Sequence, residues 1–85
     1  EIDGVEKHCK NNPKWQALAI KDTSKLQAGD VVFYLYKGGG HIYIYLGNGY
    51  VANAHYNGKT YGIVQKISDM RSPSNTMKFI VYRAK

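Results

Sequence analysis

The chain has 85 residues, 44% of them hydrophobic, and its twelve Lys and Arg against six Asp and Glu give a formal net charge of +6. This length predicts one small domain with a modest core, and the hydrophobic content excludes a disordered chain. No apolar run reaches the roughly 18 residues of a membrane span. The scattered basic residues favour polyanionic surroundings, such as nucleic acid, an anionic membrane or bacterial-wall polymers, without selecting among them. A single cysteine excludes an internal disulfide.

A short helix is predicted after a polar segment over residues 1–12 that has no clear period. Asn12 is placed as the N-cap and Pro13 at the first helical position. Trp15 and the apolar residues three and four positions later form an amphipathic stripe, which predicts a helix over 13–20. A loop then leads to residue 25.

The rest of the chain, 26–85, predicts an antiparallel sheet that completes a single domain over 1–85. Strands delimited by turn residues are predicted at 31–36, 41–46, 50–55, 60–67 and 78–83. In the second strand His41, Tyr43 and Tyr45 share one face, and the aliphatic side chains between them share the other. One short helix followed by a five-stranded antiparallel meander is an α+β fold.

The Gly-Asn-Gly segment at 47–49 predicts a hairpin, and the length of its loop decides what His41 meets. A two-residue loop places Asn53 on the face opposite His41. A three-residue loop places Asn53 across from Tyr43 and His55 across from His41. His41 and Asn53 are then diagonal neighbours, about 7–8 Å apart. A bond from Asn53 to one imidazole nitrogen would fix the tautomer that a general base needs.

The order of these motifs resembles the NlpC/P60 cysteine peptidases, papain-like enzymes that cut peptide bonds in bacterial cell-wall peptidoglycan. The resemblance rests on LQAGDVVFY at 26–34, GHIYIYLGNG at 40–49 and VANA at 51–54, with GIV at 62–64 and FIVYR at 79–83 as closing strands. It implies the β-rich half of a papain-like domain. It also implies an extracellular or cell-wall location, in a bacterium or one of its phages.

The resemblance also implies roles for particular residues. His41 matches the catalytic base of the family, and Asn53 falls where the family places its third, imidazole-orienting residue. Asp30 is interpreted as a structural residue of its turn. The implied partner is a peptidoglycan peptide, with contact to anionic wall polymers as a further expectation. No cofactor is expected, and no metal, because the three His and one Cys lack ligand spacing.

Cys9 departs from the family pattern. The family places its nucleophile in an Asp-Cys-Ser/Ala-Gly-like motif at the start of a buried helix, where the helix N-terminus lowers the pKa of the thiol. No small residues follow Cys9, and a helix begun there would soon meet Pro13, which lacks the required donor. We therefore expect the nucleophile to lie upstream of Glu1 in a parent chain, or to have been lost.

Several alternatives stay open from the sequence. His55 could take the orienting role of Asn53, and Cys9 could still be the thiolate. The eight tyrosines either line a groove or pack in the sheet. Instead of a peptidase or amidase, the chain could be an SH3-like or degenerate peptidase module that binds wall peptide without cutting it. A nucleic-acid-binding β-barrel is disfavoured, because Lys and Arg are not clustered on the aromatic strands.

Overall fold

The structure, a computed structural model, describes residues 8, 10–53 and 64–85. Within these ranges six strands form one antiparallel sheet: β1 (Trp15–Leu18), β2 (Val31–Tyr36), β3 (Gly39–Gly47), β4 (Tyr50–Asn53), β5 (Val64–Lys66) and β6 (Lys78–Ala84). Their spatial order is β1-β6-β2-β3-β4-β5. Short 3₁₀ turns lie at Thr23–Lys25, Ile67–Asp69 and Pro73–Asn75. The mainly antiparallel character is as predicted, but the described residues hold six strands rather than five.

The helix predicted over 13–20 is wrong. His8, Lys10 and Asn11 have helical backbone, so the chain leaves a helix where the sequence predicted one to begin. The segment that follows is β1, which pairs with β6 along its whole length. A helical spacing of apolar residues over so few positions is a weak preference, and pairing with a distant strand overrides it.

Asn12 makes the side-chain hydrogen bond expected of an N-cap, but it does so in a turn and not at the start of a helix. Its side-chain oxygen accepts the N–H of Lys14 at 2.9 Å, and its backbone carbonyl accepts the N–H of Trp15 at 3.1 Å. An N-cap makes a similar bond at the start of a helix, but here the bonds close a turn that leads into β1. The predicted N-cap role of Asn12 is therefore wrong, although its side chain accepts the same kind of hydrogen bond.

Both faces of the sheet carry buried apolar side chains. The face of His41 holds Leu26, Val32, Tyr34, Tyr43, Val51, Phe79 and Val81, and the opposite face holds Val31, Phe33, Ile42 and Tyr82. The division of β3 into two faces is confirmed, since Ile42 and Tyr43 belong to different clusters. Four consecutive residues at the start of β2 are buried, as expected for an interior strand that is covered on both sides.

The hairpin between β3 and β4 combines a two-residue turn with a bulge. Asn48 and Gly49 have φ of 55° and 82°, and a type I′ turn needs positive φ at both positions. The register then shifts by one residue beside Gly47, whose own φ is 96°. Beyond this bulge Tyr43 pairs with Asn53. The register predicted for a three-residue loop is confirmed, although a bulged two-residue turn produces it.

A buried ion pair joins the turn before β2 to β6. Asp30 is 1% exposed. Its two carboxylate oxygens accept hydrogen bonds from Nε and Nη2 of Arg83, each at 2.8 Å, and one of them also accepts the backbone N–H of Gln27 at 2.8 Å. Burial alone would raise the pKa of Asp30, but these hydrogen bonds and the Arg83 charge outweigh burial and hold the pKa below its ordinary value. These contacts confirm Asp30 as a structural turn residue.

None of the helices in the described part of the chain is long and apolar enough to cross a membrane.

Replacing Asp30 with Asn tests the ion pair through its pH dependence. We expect Asp30→Asn to lower the free energy of unfolding at neutral pH by about 2–3 kcal/mol, measured by urea denaturation, because Arg83 loses a charged acceptor. The pKa of Asp30 is lower in the folded protein than in the unfolded chain. The wild-type advantage is therefore complete above the ordinary value of 3.8 and is lost as the pH falls through the folded pKa.

The matched control is Asp22→Asn, since Asp22 is an exposed carboxylate that accepts the Ser24 N–H. It should have a much smaller effect at neutral pH. A cost of Asp30→Asn that is the same at neutral pH and in strong acid would contradict the assignment.

Candidate functional site

His41 and Asn53 meet on one face of the β3–β4 hairpin. Because Asn53 pairs with Tyr43, it is the diagonal neighbour of His41. His41 Nε2 and Asn53 Oδ1 are 2.5 Å apart. An amide oxygen can only accept, so a neutral His41 carries its proton on Nε2, and its lone pair is on Nδ1. An imidazole held in this way is oriented through one nitrogen and basic at the other.

Gln65 of β5 orients the amide group of Asn53. Asn53 Nδ2 donates to Gln65 Oε1 at 2.5 Å. Gln65 pairs with Val51, so it lies on the same face as Asn53. Since only the NH₂ end of Asn53 can donate to Gln65, the oxygen end is turned toward His41. The three side chains form a continuous hydrogen-bonded chain, in which Asn53 is 9% exposed.

Tyrosine rings surround His41 on this face. The ring centroid of His41 is 5.5 Å from that of Tyr34 and 6.5 Å from that of Tyr43. The Tyr43 side chain is fully buried, and its hydroxyl has no hydrogen-bond partner within the described ranges. Burial, with smaller contributions from Tyr34 and Tyr45, raises the pKa of Tyr43 far above its ordinary value. Its hydroxyl therefore stays neutral, and its ring acts here as packing.

An open cleft of about 370 Å³ lies beside this cluster. Its lining consists of Tyr34, Tyr36, Asp69, Met70, Arg71 and Asn75. The cleft forms where the end of β2 faces the loop between β5 and β6. The Arg71 guanidinium carbon lies 4.2 Å from the centroid of the Tyr36 ring, which is a cation–π distance. Tyr34 belongs both to the cleft and to the surroundings of His41.

Two residues discussed from the sequence, Cys9 and His55, lie outside the described residues. The alternative that His55 takes the orienting role of Asn53 therefore stays a prediction. On either side of Cys9 in the sequence, His8 and Lys10 are helical, and the helical backbone ends at Asn11. In the described ranges, no group of three or more His, Cys, Asp or Glu is placed to hold a metal ion.

Gln65 was missed by the sequence analysis. Its importance depends on the pairing of β4 with β5, and the connection between these strands spans residues 54–63. The signal that could have found it is the alternation of side chains along the predicted strand at 60–67, combined with the correct register. No turn motif in the sequence established that register.

A model of the NlpC/P60 family matches residues 4–83, nearly the whole chain. The match includes His41, Asn53 and Gln65, and it extends upstream of residue 26, where the resemblance of the motifs began. A search of curated proteins and a search of solved structures each found no match.

Replacing Gln65, whose side-chain oxygen accepts from Asn53, with a residue that can only donate tests whether Gln65 determines the tautomer of His41. In Gln65→Lys, we expect Asn53 to turn its oxygen toward the lysine and its Nδ2 toward His41, because Asn53 Nδ2 has lost its acceptor. His41 must then accept at Nε2 and carry its proton on Nδ1. The expected change of tautomer is measured from the imidazole ¹⁵N chemical shifts above about pH 8, where imidazoles are neutral.

Gln65→Glu is the matched control, since it keeps an acceptor at the same position and should keep the wild-type tautomer. If His41 has the same tautomer in Gln65→Lys as in the wild type, Gln65 does not orient Asn53.

Proposed function

Since the chain belongs to the NlpC/P60 family, we propose that it is the base-bearing part of a cysteine peptidase or amidase that hydrolyses amide bonds in peptidoglycan peptides. The observation that carries this proposal is the hydrogen bond between His41 Nε2 and Asn53 Oδ1. It supports a Cys-His-Asn mechanism, in which an amide side chain orients the imidazole. An extracellular or cell-wall location belongs to the same proposal, because the substrate is found there.

His41 moves one proton in two steps of the proposed reaction. As the cysteine sulfur attacks the amide carbon, its thiol proton passes to Nδ1 of His41. His41 then gives this proton to the leaving nitrogen, and the C–N bond breaks to leave a thioester. Water, deprotonated by the same Nδ1, hydrolyses the thioester and restores the thiol. Asn53 holds the ring in one orientation and accepts from Nε2 throughout.

Cys9 is a poor candidate for the nucleophile. A thiolate is stabilised near the N-terminus of a helix, where the backbone dipole is positive, and destabilised near the C-terminus. The family motif places its cysteine at the start of a helix that continues well beyond it, whereas the described backbone is not helical at Asn12. We therefore propose that a cysteine outside these 85 residues supplies the thiolate, as the absence of small residues after Cys9 also indicates.

The sequence around Cys9 also favours a second candidate function. If no other cysteine reaches His41, the domain is a degenerate peptidase that binds wall peptide without cutting it. The aromatic side chains beside the cleft suit either function. In the catalytic candidate, His41 is required for hydrolysis but not for peptide binding. In the degenerate module, His41 is required for neither.

Alkylation of Cys9 tests its predicted role as a bystander. We expect the rate of reaction with iodoacetamide to follow an ordinary thiol titration near pH 8.5, about equally in the wild type and in His41→Ala. A thiolate paired with His41 would react rapidly even at about pH 5–6, and this reaction would be lost in His41→Ala. That second result would make Cys9 the nucleophile and overturn our assignment.

Hydrolysis of peptidoglycan by the intact protein tests the catalytic proposal. His41→Ala should reduce the release of new amino groups by about 10²–10⁴-fold, because proton transfer is lost. Binding of a stem peptide, measured by calorimetry, should change little. Tyr50→Phe, at an exposed position of β4, is a control that leaves His41 and Asn53 intact. Hydrolysis that is unaffected by His41→Ala contradicts the proposal, whereas peptide binding without any hydrolysis supports the degenerate module.

A further inference from the structure

A row of neighbouring rings, tilted against one another, leads away from His41 along one face of the sheet. The Tyr34 ring lies next to His41, and the ring centroids of Tyr34 and Tyr36 are 5.9 Å apart. Arg71 lies on the far side of Tyr36, with its guanidinium carbon 4.2 Å from the ring centroid. An extended peptide advances roughly 3.5 Å per residue, so about four or five residues would span this row. A peptide with one end in the cleft could therefore place an amide bond, a few residues away, at His41.

The chemistry of Arg71 suits recognition of a carboxylate. Within the described ranges Arg71 makes no ion pair, and its contact is with the face of Tyr36. A guanidinium that lies on a ring directs its N–H groups outward in its own plane, and this fork matches the two oxygens of a carboxylate. Stacking on Tyr36 also limits the motion of the long side chain, which reduces the entropy lost when a ligand binds.

Asp69 narrows the choice of ligand. Asp69 and Arg71 both line the cleft, so its lining carries one negative and one positive charge. A polyphosphate would be repelled by Asp69, whereas a peptide offers an N–H next to its carboxylate and so complements both residues. The net charge of +6 on the chain attracts any anion, but the cleft itself holds an opposed pair of charges.

We propose that this cleft is a substrate subsite in which Arg71 binds a carboxylate of the peptide and Asp69 accepts a hydrogen bond from an adjacent N–H. The proposal rests on the proposed function, because it takes the ligand to be the peptide whose amide bond lies at His41. It adds a specificity that the catalytic residues do not supply, namely a preference for peptides with a carboxylate a few residues from the cleaved bond.

Binding of two matched peptides to the intact protein tests the subsite. One probe is a stem tetrapeptide, acetylated at its amino end, whose only carboxylate is at its C-terminus; the other is the same peptide with a C-terminal carboxamide. By calorimetry we expect the carboxylate form to bind about 10- to 100-fold more tightly, as for a hydrogen-bonded charge. In Arg71→Gln the two forms should bind equally, because the guanidinium is gone.

Lys66→Gln is the matched control. It removes one positive charge from β5 at a position next to Gln65, and by alternation its side chain lies on the opposite face of the sheet. It should leave the preference for the carboxylate unchanged, since only the general attraction of anions is reduced. An equal loss in Lys66→Gln and Arg71→Gln would mean that net charge, and not the cleft, causes the preference.

Three other results would overturn the subsite: wild-type binding that is the same for both peptides, no binding of either peptide, or a glycerol phosphate polymer that binds through Arg71 more tightly than the peptide. Because the measurement is of binding, it is independent of the hydrolysis assay. The two proposals can therefore fail separately. If the carboxylate preference depends on Arg71 but hydrolysis does not depend on His41, the subsite is supported and the catalytic proposal is contradicted.

Discussion

The one-residue shift beside Gly47 decides which side chains His41 meets. Without it, the turn at Asn48 and Gly49 would leave Asn53 on the opposite face of the sheet, because side chains alternate along a strand and a slip of one residue exchanges the faces. The bulge instead places Asn53 opposite Tyr43. A positive φ at Gly47 favours glycine there. The candidate site therefore depends on backbone conformation several residues away from both of its members.

The turn before β2 holds β3 on the side away from β4. The backbone N–H of Gly29 donates to the carbonyl of Tyr45 at 2.8 Å, and the N–H of Tyr45 donates to the carbonyl of Asp30 at 2.9 Å. The Asp30 side chain is in turn bound to Arg83 of β6. The Gly-Asp turn, which contributed to the family resemblance, thus connects β6 to the strand that carries His41. Its contribution is mechanical, since it fixes the position of β3 without touching the imidazole.

The sequence was sufficient where local turn chemistry determines the structure. It predicted the antiparallel sheet and the two faces of β3, and it gave the register that joins His41 to Asn53 as one of two alternatives. It failed for β1, because a few apolar residues at helical spacing carry less weight than pairing with β6 at the far end of the chain. It also missed Gln65. The alternation of side chains along the predicted strand at 60–67 does not decide which residue lies opposite Val51, and the structure pairs Val51 with Gln65.

The chain of hydrogen bonds through Asn53 bears on the choice between catalysis and binding alone. Burying amide groups is costly unless each finds a partner, and here Asn53 uses one end for His41 and the other for Gln65. Peptide binding in the cleft beside Tyr36 requires no particular tautomer of an imidazole. Proton transfer does require one, because the lone pair must be on the nitrogen that faces the thiol. A buried arrangement that selects a single tautomer therefore favours the catalytic proposal over the module that only binds.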